Sequence, residues 1–171
     1  MPQDNSKPGY SAKSTVSPYI TPKGHKRLSE ELTYLWKIKR PEVTLAVAEA
    51  AAMGDRSENA EYIYGKKQLR EIDSRMRVLQ WRLNELKIVD RPPEDTTKIF
   101  FGAWVELEDD DGNEYKYRIV GRDEFDPAKD YISIDSPMAK ALLGKKEDDE
   151  VVVNRPNGET AFTVLSIQYP F

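Results

Sequence analysis

The sequence contains no cysteine, which excludes disulfides and thiol chemistry and fits a reducing, cytoplasmic setting. It has one histidine, His25, so multi-histidine metal centres and histidine-based triads are excluded as well. His25 itself reads as a solvated residue on a first helical turn. No apolar run approaches the ~18 residues that a membrane span requires, and no apolar signal region opens the chain. Both absences argue against a membrane partner and against secretion. Net charge is small, −4, but that total conceals a split. Residues 1–98 carry 18 Lys+Arg against 14 Asp+Glu, a balance of +4, and residues 99–171 carry 8 against 16, a balance of −8. Such asymmetry suggests two parts that meet different partners.

What is present divides accordingly. Residues 1–19 are rich in Ser, Pro, Lys and Gln without apolar periodicity and predict a disordered tail. Thr21-Pro22 is a helix start, a capping hydroxyl followed by proline at the first helical position. A first helix is expected from Pro22 to about Ala52, with Leu28, Leu32, Leu35 and Ile38 on one stripe. Pro41 reads as a kink, beyond which Leu45, Ala48 and Ala52 continue a face; two separate helices are the alternative. In the second helix Leu69, Ile72, Met76, Leu79, Leu83 and Leu86 follow spacings of 3, 4, 3, 4 and 3, an a/d seam that requires a partner helix. The short connection between the two patterns makes them an antiparallel coiled-coil hairpin over residues 20–91, each leg ~45 Å long. An intermolecular coiled coil is the alternative reading of the seam. Trp36 and Trp81 are expected beside it.

Arg91-Pro92-Pro93 ends the helical part, and residues 92–98 read as a linker. From 99 to 171 the period becomes two. Strands are expected at Trp104 to Glu108, Tyr115 to Val120, Tyr131 to Ile134, Val151 to Val153 and Ala161 to Ile167. Turns fall at Asp109 to Asn113 and Pro156 to Gly158. Asp109 to Asp111 lacks calcium-loop spacing. Ser136-Pro137 starts a short helix, Met138 to Leu143, closed by Gly144. The fold class is α+β: a helical hairpin followed by a small antiparallel sheet with one helix.

Between the two helical patterns lies the stretch Ala51 to Tyr62, and its tip carries Asp55 and Glu58. Asp-x-x-Glu before a helix has the pattern of a capping box, Asp55 and Glu58 each satisfying the other's backbone N–H. The same pair can also serve chemistry. Mg²⁺ prefers oxygen ligands, keeps several waters and is often held by one or two carboxylates. An exposed carboxylate pair is therefore half a metal site, complete only inside a centre that already holds a metal. The chain has no full catalytic constellation of its own. Behind the tip, residues 66–82 hold six basic side chains against two acidic ones. Lys66, Arg70 and Arg77 share a face at spacings of four and seven. They are either solvated coiled-coil flanks, partly paired with Glu71 and Asp73, or a stripe that guides a phosphate backbone.

Gly54-Asp55-Arg56-Ser57-Glu58-Asn59-Ala60-Glu61-Tyr62, the basic heptads after it, and the stretches Phe101 to Glu106 and Tyr131 to Ala139 resemble the bacterial Gre transcript-cleavage factors. The tip is nearer their B type than their A type. The likeness covers residues 20 to 169. It implies a non-enzymatic elongation factor whose coiled coil enters the secondary channel of bacterial RNA polymerase. Asp55 and Glu58 would hold a second Mg²⁺ in the polymerase active centre, and the polymerase would cut the backtracked 3′ end of the nascent RNA. It implies that Lys66, Lys67, Arg70 and Arg77 contact that RNA. An FKBP-like C-terminal domain would grip the channel rim through Asp135, Ser136 and Pro137, and the factor would act as a monomer. Two alternatives stand beside it: a channel-binding inhibitor of the same shape, and a coiled-coil interaction module with no polymerase role. The tail of residues 1–19 is longer than the family usually shows. Gly65, early in the second helix, weakens it by ~1 kcal/mol and is expected to loosen the tip.

Overall fold

The computed structural model describes residues 16–54 and 58–171; the expected tail up to residue 15 and the tip residues Asp55, Arg56 and Ser57 lie outside them. The first strand, β1 (Tyr19–Ile20), leads into α1 (Pro22–Tyr34), a π-helical turn (Leu35–Lys39) and α2 (Arg40–Ala52). The return leg is α3 (Ala60–Glu85), followed by β2 (Lys87–Ile88), which pairs in parallel with β1. Residues 16–19 are thus not part of a free tail. Ser17 N–H donates to the Asp135 carboxylate at 3.1 Å, and Tyr19 is paired with Lys87.

Thr21 caps α1, accepting the N–H of Gly24 at 3.2 Å, as the Thr-Pro pair predicts. Leu28, Ile20 and Leu79 form the buried centre of the hairpin base, flanked by Leu32, Leu35, Leu83 and Leu86. Pro41 does not break the helix. Its missing N–H and bulky ring are absorbed by the π turn just before it, where the Arg40 N–H reaches back to the Leu35 carbonyl. That wider turn inserts about one residue into the helical period. The buried positions beyond it are therefore Val43, Val47 in part, and Ala50, rather than Leu45, Ala48 and Ala52. Leu45 and Ile38 face solvent, exposed by 61% and 58%. Trp36 and Trp81 are exposed too, against expectation; Trp81 lies two positions beyond Leu79, on the far side of its helix.

Gly65 has a packing role, not the loosening one expected of it. It is buried, and a Cβ there would lie 2.6 Å from Val47 Cγ2, so the missing side chain lets α2 and α3 approach. Two ion pairs tie the legs, Arg75 to Glu31 at 2.6 Å and Arg40 to Asp73 at 2.8 Å. Each guanidinium holds its partner carboxyl below the usual range by hydrogen bonding.

The second part is a five-stranded sheet in the order β5-β4-β3-β7-β6, built from β3 (Trp104–Asp109), β4 (Glu114–Val120), β5 (Tyr131–Ser133), β6 (Glu150–Arg155) and β7 (Gly158–Gln168). It is not wholly antiparallel. β5 runs parallel to β4, because the chain between them, residues 121–130, makes two 3-10 turns and returns to its starting end. Alternation in β3 buries Val105 and Leu107, and α4 (Pro137–Leu142) adds Ala139 and Leu142 to a core with Ile99, Phe162 and Val164. No described helix is long and apolar enough to cross a membrane.

Candidate functional site at the hairpin tip

At the end of α2 the Met53 N–H closes on the Ala50 carbonyl, and at the start of α3 Asn59 adopts an extended backbone. Asn59 joins the two helix ends with one side chain. Its Oδ1 accepts the Tyr62 N–H at 3.1 Å, and its Nδ2 donates to the Ala50 carbonyl at 2.6 Å. An N–H at the start of one helix and a carbonyl at the end of the other are satisfied together. The Asp55–Glu58 pattern drew the cap away from Asn59 in the sequence; the signal available was asparagine directly before the first helical residue.

This cap decides the status of Glu58. A capping box would place Glu58 on the third helical position, but the helix begins at Ala60, after it. Glu58 stands one residue outside the cap, exposed, with no hydrogen bond or ion pair among the described residues. None of the described residues uses the acceptor capacity of its carboxylate. Asp55, the other member of the expected pair, lies outside the described residues. No group of three or more His, Cys, Asp or Glu among the described residues could hold a metal. An exposed carboxylate is a hard oxygen donor, which suits Mg²⁺ with most positions left to other ligands better than it suits Zn²⁺, a metal held chiefly by His and Cys.

Along α3, Lys66, Lys67, Arg70 and Arg77 are all exposed. Lys67 approaches Glu71 at 3.9 Å, whereas Lys66, Arg70 and Arg77 have no salt bridge among the described residues. Asp73, expected as a partner for this stripe, faces Arg40 across the hairpin. Arg75 and Arg82 leave the stripe altogether. Arg75 pairs with Glu31, and Arg82 is buried at the base against Asp123.

Asp135, Ser136 and Pro137 sit beside the base of the arm. Asp135 accepts the Ser17 N–H, Ser136 caps α4 by accepting the Ala139 N–H at 3.2 Å, and Pro137 fills the first helical position. The Asp135 carboxylate and the Ser136 hydroxyl proton retain further capacity. Next to them an apolar hollow of about 510 Å³ is lined by Tyr19, Phe100, Phe101, Ile134 and Leu143.

Comparison with known proteins agrees over both parts. The family "Transcription elongation factor, N-terminal" matches residues 18–88, and "Transcription elongation factor, GreA/GreB, C-term" matches residues 94–169. The chain is 61% identical over 156 residues to transcription elongation factor GreB of Yersinia pestis, covering 91% of each chain. It is 59% identical over 154 residues to the GreB of Pseudomonas aeruginosa, covering 90% of this chain and 92% of that one. Among solved structures, the GreA factor homolog 1 protein of Thermus thermophilus is 26% identical over 88% of this chain and 97% of its own. Its TM-score is 0.40.

Proposed function

The chain belongs to the GreA/GreB family of transcription elongation factors, and from that premise we propose that it stimulates cleavage of backtracked RNA by RNA polymerase. The helical arm enters the polymerase's secondary channel and brings its tip to the active centre. Asp55 and Glu58 would hold a Mg²⁺ ion there together with ligands of the polymerase. When bound, that ion supplies Lewis-acid polarisation of the scissile phosphate and acidifies water, as in two-metal phosphodiester hydrolysis. The factor contributes the two carboxylates and their position; the bond is broken by the polymerase.

The observation that carries this reading is Glu58 itself, an exposed carboxylate set outside the helix cap and engaged by none of the described residues. Among the described residues it has no partner, and the cap of the second helix is made by Asn59. Lys66, Lys67, Arg70 and Arg77 would attract the extruded RNA by charge, an effect that weakens with salt. Asp135, Ser136 and Pro137 would meet the channel rim, where the remaining hydrogen-bonding capacity of the first two is available. The factor would work as a monomer in the cytoplasm.

The test is RNA cleavage in a stalled, backtracked elongation complex with and without the protein. Wild type should shorten the transcript from its 3′ end. Asp55→Ala and Glu58→Ala should abolish that gain while still competing with wild type for the polymerase. Cleavage by both variants at the wild-type rate would remove the carboxylates from the chemistry. Inhibition of synthesis without cleavage would favour a channel blocker instead.

A further inference from the structure

We propose that Glu124 and Asp123 are positioning residues for this cleavage: one turn of the C-terminal domain grips both legs of the arm and so fixes the bearing of its tip. The inference rests on the function proposed above. Both acids lie on the 3-10 turn Arg122–Glu124 between β4 and β5.

Glu124 takes the first leg. It is only 5% exposed, and its Oε2 accepts the N–H of Thr21 at 3.1 Å and of Gly121 at 2.9 Å, while its Oε1 accepts the Thr21 hydroxyl. Thr21 is the cap of α1, so the carboxylate is bonded to the first residue of the arm. Gly24 makes room for it; a Cβ there would lie 2.2 Å from Oε1. Gly121 allows the same closeness on the other side, where a Cβ would lie 2.4 Å from the Tyr19 carbonyl oxygen. Asp123 takes the second leg. Its Oδ2 accepts Arg82 Nε at 2.8 Å, and its own carbonyl accepts from Arg27. Arg82, 6% exposed on α3, also donates Nη2 to the Ser17 carbonyl at 2.9 Å; its Nη1 has no protein partner among the described residues.

Two attachments on different helices resist both tilt and twist, which one attachment would not. The lever makes that stiffness matter. The 26 residues of α3 span ~39 Å at 1.5 Å per residue, so a swing of about 5° at the base moves the tip ~3 Å. Misplacing a reacting group by ~1 Å is enough to cost about 10²-fold in rate. Replacing Glu124 by Ala strands two buried N–H groups. Glu124→Gln does not, because the new side-chain carbonyl can take both N–H groups while the amide donates to the Thr21 hydroxyl oxygen.

The absence of cysteine allows clean spin labelling at Ala46→Cys on α2 and Val152→Cys on β6, both exposed. Electron–electron distance measurements should give one narrow distribution for the otherwise wild-type protein and for Glu124→Gln, and a broad one for Glu124→Ala. In backtracked complexes saturated with factor, Glu124→Ala should cleave about 10- to 100-fold more slowly. Its half-saturating concentration should change less than ~3-fold, and Glu124→Gln should restore the rate. Gly24→Ala, which displaces the carboxylate but deletes no polar group, should act in the same direction and carries the test if Glu124→Ala does not fold. An unbroadened distance distribution in a folded variant overturns the inference, as does an unchanged rate at saturation. If the labelled wild-type arm is rigid but no cleavage is stimulated at all, the proposed function fails, and the distances alone judge the grip.

Discussion

At the base of the arm, acidic side chains are surrounded by donors: Glu124 accepts three hydrogen bonds and Asp123 faces the buried Arg82. At the tip, Glu58 is exposed and accepts none from the described residues. Both ends are acidic, yet one end commits its charge to structure and the other keeps it available. A buried carboxylate must be satisfied or its desolvation is uncompensated, so base acids are tied to partners. An exposed one costs nothing to leave free. The difference teaches that function should be sought where a charged group has no internal work, and rigidity where it has several partners.

Substitutions at the two ends should therefore fail differently. Glu58→Ala should reduce stimulated cleavage by at least ~100-fold in the backtracked-complex assay, with the melting temperature unchanged. At the base the order reverses. Arg82→Ala removes the partner of the half-buried Asp123 and the bond to the Ser17 carbonyl, and should destabilise the protein by ~2 kcal/mol in denaturant unfolding. Between the ends, Gly65→Ala gains ~1 kcal/mol of helix propensity but drives a methyl into Val47, and a net loss of ~1 kcal/mol is expected. The smallest effect should come from the exposed pair of Arg75 and Glu31, worth ~0.5 kcal/mol. Its sign with pH is defined. The Glu31 carboxyl is lowered in the folded protein, so the unfolded chain binds more protons as pH falls through the carboxylate range. The contribution is whole above the ordinary glutamate value and lost as pH drops through the lowered one. Arg75→Ala should flatten that part of the stability–pH curve.

Much of this fold is carried by local signals, and those are legible in the sequence. The 3-4 spacing from Leu69 to Leu86 places Ile72 and Leu79 in the seam, and both are buried. Asp109 closes its hairpin by accepting the N–H of Asn113 at 2.9 Å, and Ser136 caps the helix that Pro137 begins. What escapes the sequence depends on competition or on distance. Pro41 could be accommodated by a kink, a break or a π turn, and with the π turn it is Val43 and Ala50 that are buried. At the tip the Asp55–Glu58 pattern suggests one cap, whereas Asn59 caps the second helix and also reaches the Ala50 carbonyl. The grip on the arm joins Thr21 to Glu124 across 103 positions, a contact no periodicity announces. The parallel pairing of β5 likewise depends on the path of residues 121–130.

The availability of the tip carboxylate to a metal is tested most directly by the Mg²⁺ dependence of stimulated cleavage. It should be compared for wild type and Glu58→Gln, which keeps the size and removes the charge. The account predicts that Glu58→Gln requires a much higher Mg²⁺ concentration for half-maximal cleavage while its affinity for the polymerase stays unchanged. Superimposable Mg²⁺ curves for the two proteins would contradict it.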